Sequence, residues 1–329
     1  MENTQVTEVL GKDNLQASFY AIGKVVDTSD LVLEDYTDNK GATAKRIRGK
    51  FTVKSNEDEL TIKVFATQFT NSGAENKSFK SLVALVNGEY TTIAQGGEEG
   101  ATRIRVSGSI QEGKPYKTQS GEVVCAIEYR GSFVSATKAE SIEDEIAGSS
   151  DMYIQGYIKE TKLVDEEVEE TGRLIINALA VSFGGKVFPY KLIVDDESAI
   201  DFFTDEVPVG STLNVSFLIK HRAVKSEKPQ EKKNGGWGRK ISTSNSFTKF
   251  INEVIACGCE DLYSEDFNPN RILPKEQITK ALAVRQEEID AVENETPKTS
   301  TAKKGFGTTK ATAPTPQPTA TVSEDELPF

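Results

Sequence analysis

The fold of this chain is decided by Tyr20-Ala21-Ile22-Gly23-Lys24-Val25 and its counterpart Tyr153-Ile154-Gln155-Gly156-Tyr157-Ile158. Each stretch opens a series of short alternating segments, and each has a glycine at its fourth position. A glycine inside a strand suits a sharp bend, by which the strand serves both sides of a small barrel. The repeat therefore predicts two similar β blocks, each beginning with a bent strand.

Alternation of apolar and polar residues predicts five strands in each block, with a helical piece between the third and the fourth. This is the order of the OB-fold barrel, so we predict an all-β chain with minor helices and two tandem five-stranded OB-like barrels. A pair of β-sandwiches remains an alternative, because periodicity does not give strand order. The predicted elements are strands Phe19–Val26, Lys45–Lys54, Leu60–Phe69, Thr102–Ile110 and Val123–Phe133 with helix Asn76–Val86, then strands Met152–Lys159, Arg173–Phe183, Lys186–Val194, Thr212–Arg222 and Arg239–Thr248 with helix Glu197–Thr204.

The blocks and their flanking segments give a domain plan. A helix is expected over Pro274 to Val292, and beyond it nine threonines and four prolines between Ala291 and Ser323 predict a disordered tether. The plan comprises a first OB-like domain at 1–138, a linker at 139–151, a second OB-like domain at 152–260, a helical extension at 261–292, a disordered linker at 293–323 and an acidic tip at 324–329.

Composition limits the function classes. The net charge of −12 argues against coating nucleic acid by bulk positive charge, so any basic surface must be local. Three cysteines and one histidine argue against a disulfide framework and against histidine-based metal sites or triads. The sequence shows no signal peptide and no long apolar run, so we expect a cytoplasmic protein that does not enter membranes.

The first block carries a basic strand face. Between Asn39 and Asn56 there are six basic residues and no acidic one. Because side chains alternate along a strand, cations and one aromatic ring are expected to share the outer face, which suits single-stranded nucleic acid. An ordinary solvated sheet face is the alternative. The residues assigned to this interface are Lys45, Arg46, Arg48, Lys50, Lys54, Lys63, Phe65, Arg103 and Arg105.

Two connecting loops add cations and rings. A tyrosine lies between lysines after the fourth strand of the first block, and the only tryptophan lies in a glycine-rich basic loop at the same place in the second block. Such loops can close over a nucleic-acid strand, although a surface hairpin without a role is the alternative. The loop residues assigned to the interface are Lys114, Tyr116, Lys117, Lys220, Arg222, Lys232, Lys233, Trp237, Arg239 and Lys240.

Catalytic interpretations find little support. The Cys257-Gly258-Cys259 sequence lacks the spacing of a redox or zinc motif, and no phosphate-binding glycine loop is present. We therefore expect no enzymatic activity, no cofactor and no metal.

The C-terminal tip is the most specific motif. Glu324, Asp325 and Glu326 precede Leu327-Pro328-Phe329, which places a ring and a carboxylate at the end of a flexible tether. A pocket with a basic rim could bind such a peptide. With its OB-like body, this tip resembles the bacterial and phage single-stranded DNA-binding proteins, and two blocks in one chain favour the phage type.

The resemblance implies sequence-independent binding and protection of single-stranded DNA in replication, recombination and repair. It also implies that the tip, with Phe329 as its critical ring, recruits replication and recombination proteins in a bacterial or phage-infected cell. Two alternatives stay open, namely a replisome adaptor or recombination mediator whose OB blocks bind protein, and a virion protein with tandem β-domains. The sequence leaves open DNA against RNA preference, the size of the site and the oligomeric state.

Overall fold

The computed structural model describes residues 9–12, 15–37, 41–138, 142–164, 167–227 and 246–294. Just over half of the chain described is strand, and one continuous sheet contains eleven strands, so the prediction of a mainly β protein is confirmed. The strands are β1 (Ser18–Asp27), β2 (Val32–Thr37), β3 (Thr43–Ser55), β4 (Asp58–Thr67), β5 (Arg103–Glu112), β6 (Tyr116–Lys117), β7 (Val123–Val124), β8 (Ile127–Ala136), β9 (Ile146–Val164), β10 (Glu167–Val181), β11 (Val187–Val194), β12 (Thr212–Glu227) and β13 (Ser246–Cys259). The helices are α1 (Lys77–Val86), α2 (Ile93–Gly100), α3 (Glu197–Asp205) and α4 (Lys275–Glu293).

Five strands of the N-terminal half pair in a closed circuit, which we call the first ring. Going round it, β1 pairs with β3, β3 with β4, β4 with β8, β8 with β5, and β5 with β1 again. Only the β4–β8 pairing is parallel within this circuit. Helix α1 lies between β4 and β5 in sequence, and its buried Phe79, Leu82 and Leu85 pack into the core.

The C-terminal half repeats this circuit as the second ring. Here β9 pairs with β10, β10 with β11, β11 with β13, β13 with β12, and β12 with β9. The β11–β13 pairing is again the parallel one, and α3 lies between β11 and β12 in sequence. The repeated order of elements thus corresponds to a repeated order of pairing.

The rings meet through their first strands. The first half of β1 pairs antiparallel with the first half of β9, from Ser18 opposite Ser149 to Ala21 opposite Ile146. Gly148 lies at this contact, where an added Cβ would come within 2.6 Å of the Ser18 carbonyl oxygen and of the Phe217 ring. Most buried apolar residues of both rings form one continuous cluster across the junction.

Helix α4 braces the same junction from outside. Its Ile278 is buried against the second ring, whereas its Arg285 donates two hydrogen bonds of 2.7 Å to Glu112 of the first ring. The segment leading to α4 is fixed by Arg271, which donates to the fully buried carboxylate of Asp151 at 2.7 and 2.8 Å. None of the helices in the described ranges has the length and apolarity needed to cross a membrane.

The structure differs from the sequence prediction in several places, and one is the predicted strand Val123–Phe133, which is divided into β7 and β8. Strand β2 and helix α2 were not predicted, and Ile146–Asp151 belongs to β9 although it was assigned to the linker. The last strand is described at Ser246–Cys259, further along the chain than the predicted Arg239–Thr248. Residues 239–245 of that prediction lie outside the described residues, as do most of the linker 293–323 and the whole tip 324–329.

The two glycines of the opening repeat have different roles. A Cβ at Gly23 would lie 2.2 Å from the Lys54 carbonyl oxygen, because β1 bends there to leave β9 and join β3. At Gly156 a Cβ would meet no atom within 4 Å. A close approach to another backbone is therefore present at the first glycine and absent at the second.

We predict that Gly23→Ala lowers the free energy of unfolding by about 1–3 kcal/mol, because the added methyl group forces β1 and β3 apart. Gly156→Ala is the matched control and should leave stability unchanged or slightly raised. Urea denaturation followed by circular dichroism compares the two variants. Equal effects would show that no close approach constrains β1 at Gly23.

Candidate nucleic-acid interface

The outer surface of β3 and β4 forms the candidate interface, which we call the basic face. Ile47, Phe51 and Val53 of β3 are buried in the first ring, which turns the intervening even-numbered residues outward, as the alternation predicts. On β4 the buried Leu60, Ile62, Val64 and Ala66 likewise turn Lys63 and Phe65 outward. The cations of β3 on this face are Arg46, Arg48, Lys50 and Lys54.

Phe65 is the aromatic ring of the basic face. It is 62% exposed, and its strand partner across the ladder is Arg48. Lys63 lies two residues away on the same side of β4, opposite Lys50. A large ring that stays in water beside cations is available for stacking against a planar ligand.

Glu34 neutralises part of this surface, contrary to the expectation of a face without carboxylates. Strand β2 pairs with β3 and places Glu34 opposite Arg46. One Glu34 oxygen lies 2.6 Å from a guanidinium nitrogen of Arg46 and 2.9 Å from Nε of Arg48. Hydrogen bonds from Arg48 and then Arg46 hold the pKa of Glu34 below its usual range.

Other cations of the face are paired as well. Glu128 of β8 lies 2.7 Å from Lys63 and 3.1 Å from Arg130, and these cations keep its pKa low although burial acts to raise it. Around the basic face, six cations therefore pair with four carboxylates, and Glu59 of β4 adds a fifth carboxylate opposite Lys54. The remaining pairs are Lys50 with Asp30 at 3.7 Å and Lys54 with Glu98 at 3.0 Å.

Three predicted interface residues lie elsewhere on the first ring. β8 separates β4 from β5, so Arg103 and Arg105 are not beside Phe65. Arg103 is ion-paired with Asp144, whereas Arg105 packs over the Tyr20 ring at 5.3 Å and faces the junction of the rings. Lys45 is out of phase with Arg46 and Arg48, so it leaves β3 on the opposite side.

The predicted loop after β5 forms the small β6–β7 hairpin. Tyr116 is 43% exposed and Lys114 is also exposed, so both remain available to a ligand. Lys117 donates a hydrogen bond of 2.9 Å to the backbone carbonyl of Glu293 at the end of α4. One side chain of this hairpin therefore contacts the end of α4.

Two predicted cations of the second ring lie at its contact with the first ring. Lys220 is 3.6 Å from Asp58, and Arg222 is 2.8 Å from Glu57. Both carboxylates belong to the first ring, so these cations hold the rings together. Lys232, Lys233, Trp237, Arg239 and Lys240 lie outside the described residues, as do Glu324, Asp325, Glu326, Leu327, Pro328 and Phe329.

The only histidine and the three cysteines form no reactive centre together. Burial lowers the pKa of His221, against the nearby Asp58 carboxylate, and its ring packs edge-on against Tyr129. Cys125, Cys257 and Cys259 are free thiols. Within the described ranges, no group of three or more histidine, cysteine, aspartate or glutamate side chains could hold a metal ion.

Comparison with known proteins places the chain in a family. The YorF family matches residues 21–295, which span nearly all of both rings and helix α4. The chain belongs to the YorF family. No curated protein matches the sequence of this YorF family member.

Two solved structures of the Thermus aquaticus single-stranded DNA-binding protein are similar to this family member at low level. A deletion mutant has 10% sequence identity and a TM-score of 0.37, covering 77% of this chain and 97% of its own. The wild-type protein has 10% identity and a TM-score of 0.36, covering 74% of this chain and 91% of its own.

Sequence reasoning missed the partners that shape the face. Glu34 sits in Leu31-Val32-Leu33-Glu34-Asp35-Tyr36, too short and too acidic a run to indicate a strand beside a basic one. Glu128 and Arg130 lie within a predicted strand, and their alternation about the buried Tyr129 could have placed both outside. Their pairing with β4 requires the parallel β4–β8 contact, which periodicity does not reveal.

We predict that Arg48→Gln raises the pKa of Glu34 toward the ordinary glutamate value, because Arg48 is its strongest hydrogen-bond donor. Titration of the glutamate side-chain carboxyl carbons by NMR measures the change. Glu128 is the internal control, since Lys63 and Arg130 stay in place. An unchanged Glu34 pKa would mean that the two side chains do not pair in solution.

Proposed function

We propose that this YorF family member is a non-enzymatic protein that binds single-stranded DNA without sequence preference, through the basic face. The observation that carries the proposal is Phe65, an exposed ring directly across from Arg48 and beside Lys63. Stacking on such a ring is tolerant of sequence because every base has a π face, and flanking cations can follow the phosphates.

The carboxylates of the face are compatible with this function. Glu34 contacts both arginines from a partly exposed position, and ion pairs at the surface are weakened by solvent. A phosphate can therefore replace Glu34 at small energetic expense.

Each ring is proposed to be an OB-type barrel, so that the chain contains two in tandem. In OB folds, the second and third strands and the loops after the first and fourth strands bind oligonucleotides and oligosaccharides. In the first ring these are β3, β4, the segment containing β2 and the β6–β7 hairpin. The basic face lies where this architecture would place a ligand.

The remaining proposals concern residues outside the described ranges. The loop containing Trp237 is proposed to close over DNA from the second ring, and the tip Glu324–Phe329 to recruit replication and recombination proteins. These roles, together with DNA repair and a setting in the cytoplasm of a bacterial or phage-infected cell, rest on the motif and on the family resemblance stated above.

A protein-binding adaptor is the second candidate, favoured by one observation. Because carboxylates pair with most cations of the basic face, its positive charge is smaller than the sequence suggests. An apolar ring within paired charges also suits a protein interface.

We predict that labelled oligo-dT binds more tightly than a duplex of equal length and that binding weakens with added salt, because phosphate contacts release counterions. Phe65→Ala should weaken oligo-dT binding about tenfold, since one base stack is worth ~1–3 kcal/mol. Fluorescence anisotropy at two salt concentrations measures both effects. Phe183→Ala, at another exposed ring (71%) on the second ring, is the matched control. Absence of binding to oligo-dT would reject DNA binding and favour the adaptor.

We also predict that Glu34→Gln tightens oligo-dT binding several-fold at low salt and steepens its salt dependence, because two arginines lose their carboxylate partner. Glu170→Gln makes the same change of charge on the second ring, where Glu170 pairs with Lys159 at 3.3 Å, and serves as the control. Equal gains in the two variants would show a general effect of net charge and would remove Glu34 from the site.

A further inference from the structure

A second concave surface lies at the junction of the rings, away from the basic face. We call it the junction groove; its volume is about 680 Å³, and it is open to solvent. β1, β5 and β8 line it from the first ring, and β9, β12 and β13 line it from the second. Sequence analysis placed one of its residues, Arg105, on the basic face instead.

The groove combines one cation with one exposed ring. Arg105 is exposed and has no ion pair among the described residues, in contrast to Arg46, Arg48 and Arg103. Phe133 is 48% exposed and pairs across the ladder with Ser107, two residues from Arg105. Glu145 is the one carboxylate among the described residues that line the groove, and it accepts a hydrogen bond from the hydroxyl group of Tyr20.

Small residues line the floor of the groove. Serine and glycine side chains leave room for a polymer backbone to lie close to the strands, and their hydroxyl groups can donate to phosphate or sugar oxygens. The small residues are Ser18, Ser107, Gly108, Ser109, Gly148, Ser149 and Ser216.

Both rings distort a strand at this surface. In the first ring, the register between β5 and β8 skips Ser132 of β8. In the second ring, the register between β12 and β13 skips Cys257 of β13. The fifth strand of each ring therefore contains a β-bulge. Both bulged residues line the groove. β-bulges change the direction of side chains beside functional sites. Here the corresponding strands of the two rings both have their bulged residue at the junction groove.

β8 separates the basic face from the groove and contacts both β4 and β5. Lys63 of β4 is level with Arg130 of β8 in the parallel pairing. Two residues beyond them lie Phe65 on β4 and Ser132 on β8, and Ser132 is followed by Phe133. Exposed rings and cations thus extend from β4 across β8 to Arg105 of β5.

We propose that the junction groove is a second subsite for single-stranded DNA, in which Phe133 stacks a base and Arg105 binds a phosphate as the strand passes from the first ring toward the second. The inference rests on the proposed function, because the same ligand must first bind the basic face. A DNA strand is favoured over a protein because the lining offers an exposed ring, an exposed cation and several serine hydroxyl groups on one surface. The expected site is longer than the basic face alone.

The first test uses two lengths of oligo-dT, about 10 and about 30 nucleotides, given that one OB barrel covers ~4–16 nucleotides. Arg105→Gln and Phe133→Ala should each weaken binding of the long oligomer at least threefold and leave the short one unaffected. Phe65→Ala should weaken both. If the groove variants leave the long oligomer unaffected while the short one still binds, only this inference is overturned; if neither oligomer binds, the proposed function fails with it.

The second test needs no variant. Cys257 lines the groove, whereas Cys259, two residues away on β13, does not, and burial raises the pKa of both thiols. Alkylation by N-ethylmaleimide, followed by mass spectrometry, should slow several-fold at Cys257 with the long oligomer and remain unchanged at Cys259. Equal reactivity of Cys257 with and without the long oligomer would overturn the proposal. Protection that grows with protein concentration in the absence of DNA would place a second copy in the groove and overturn it as well.

Discussion

The antiparallel contact between β1 and β9 is the constraint on which the rest of the structure depends. The first residues of β1 and of β9 pair with each other. The later residues of β1 pair with β3, and those of β9 pair with β10, so each strand also belongs to its own ring. Gly148 permits the approach, because any side chain there would meet the Ser18 carbonyl and the Phe217 ring. The junction groove and the ion pairs of Lys220 and Arg222 with the first ring follow from that one contact, and α4 then braces it through Arg285.

Much of this architecture can be predicted from local sequence, and the reasons are physical. Alternation identifies a strand when one face is buried, so the β3 and β4 elements follow from Ile47, Phe51 and Leu60. α1 follows in the same way from its buried stripe and from Asn76, whose side chain caps the helix by accepting from the Ser78 amide. The repeated order of strands and helices also indicates that the two halves share one topology.

The parts that sequence reasoning missed depend on contacts between distant elements. Ile146–Asp151 resembles a polar linker, yet it is a strand because β1 and β12 bind it from both sides. The basic face shows the same limit. Its cations are visible in the sequence, whereas their partners come from β2, from β8 and from α2, so the electrostatics depend on tertiary structure.

The two rings are not equivalent, because the charges on their outer surfaces differ. On the second ring, Arg173 of β10 lies between Glu160 at 3.3 Å and Glu253 at 2.8 Å, so one cation faces two carboxylates. The corresponding strand of the first ring carries four outward cations and adjoins an exposed ring. On these two strands, the outward cations therefore lie on the first ring, while the second ring anchors α4 through Asp151 and Arg271. Under the proposed function, a strand that leaves the basic face would meet the second ring first at the junction groove, where Arg105 has no ion pair among the described residues. In such an arrangement the second ring lengthens the binding surface by its position rather than by charge of its own.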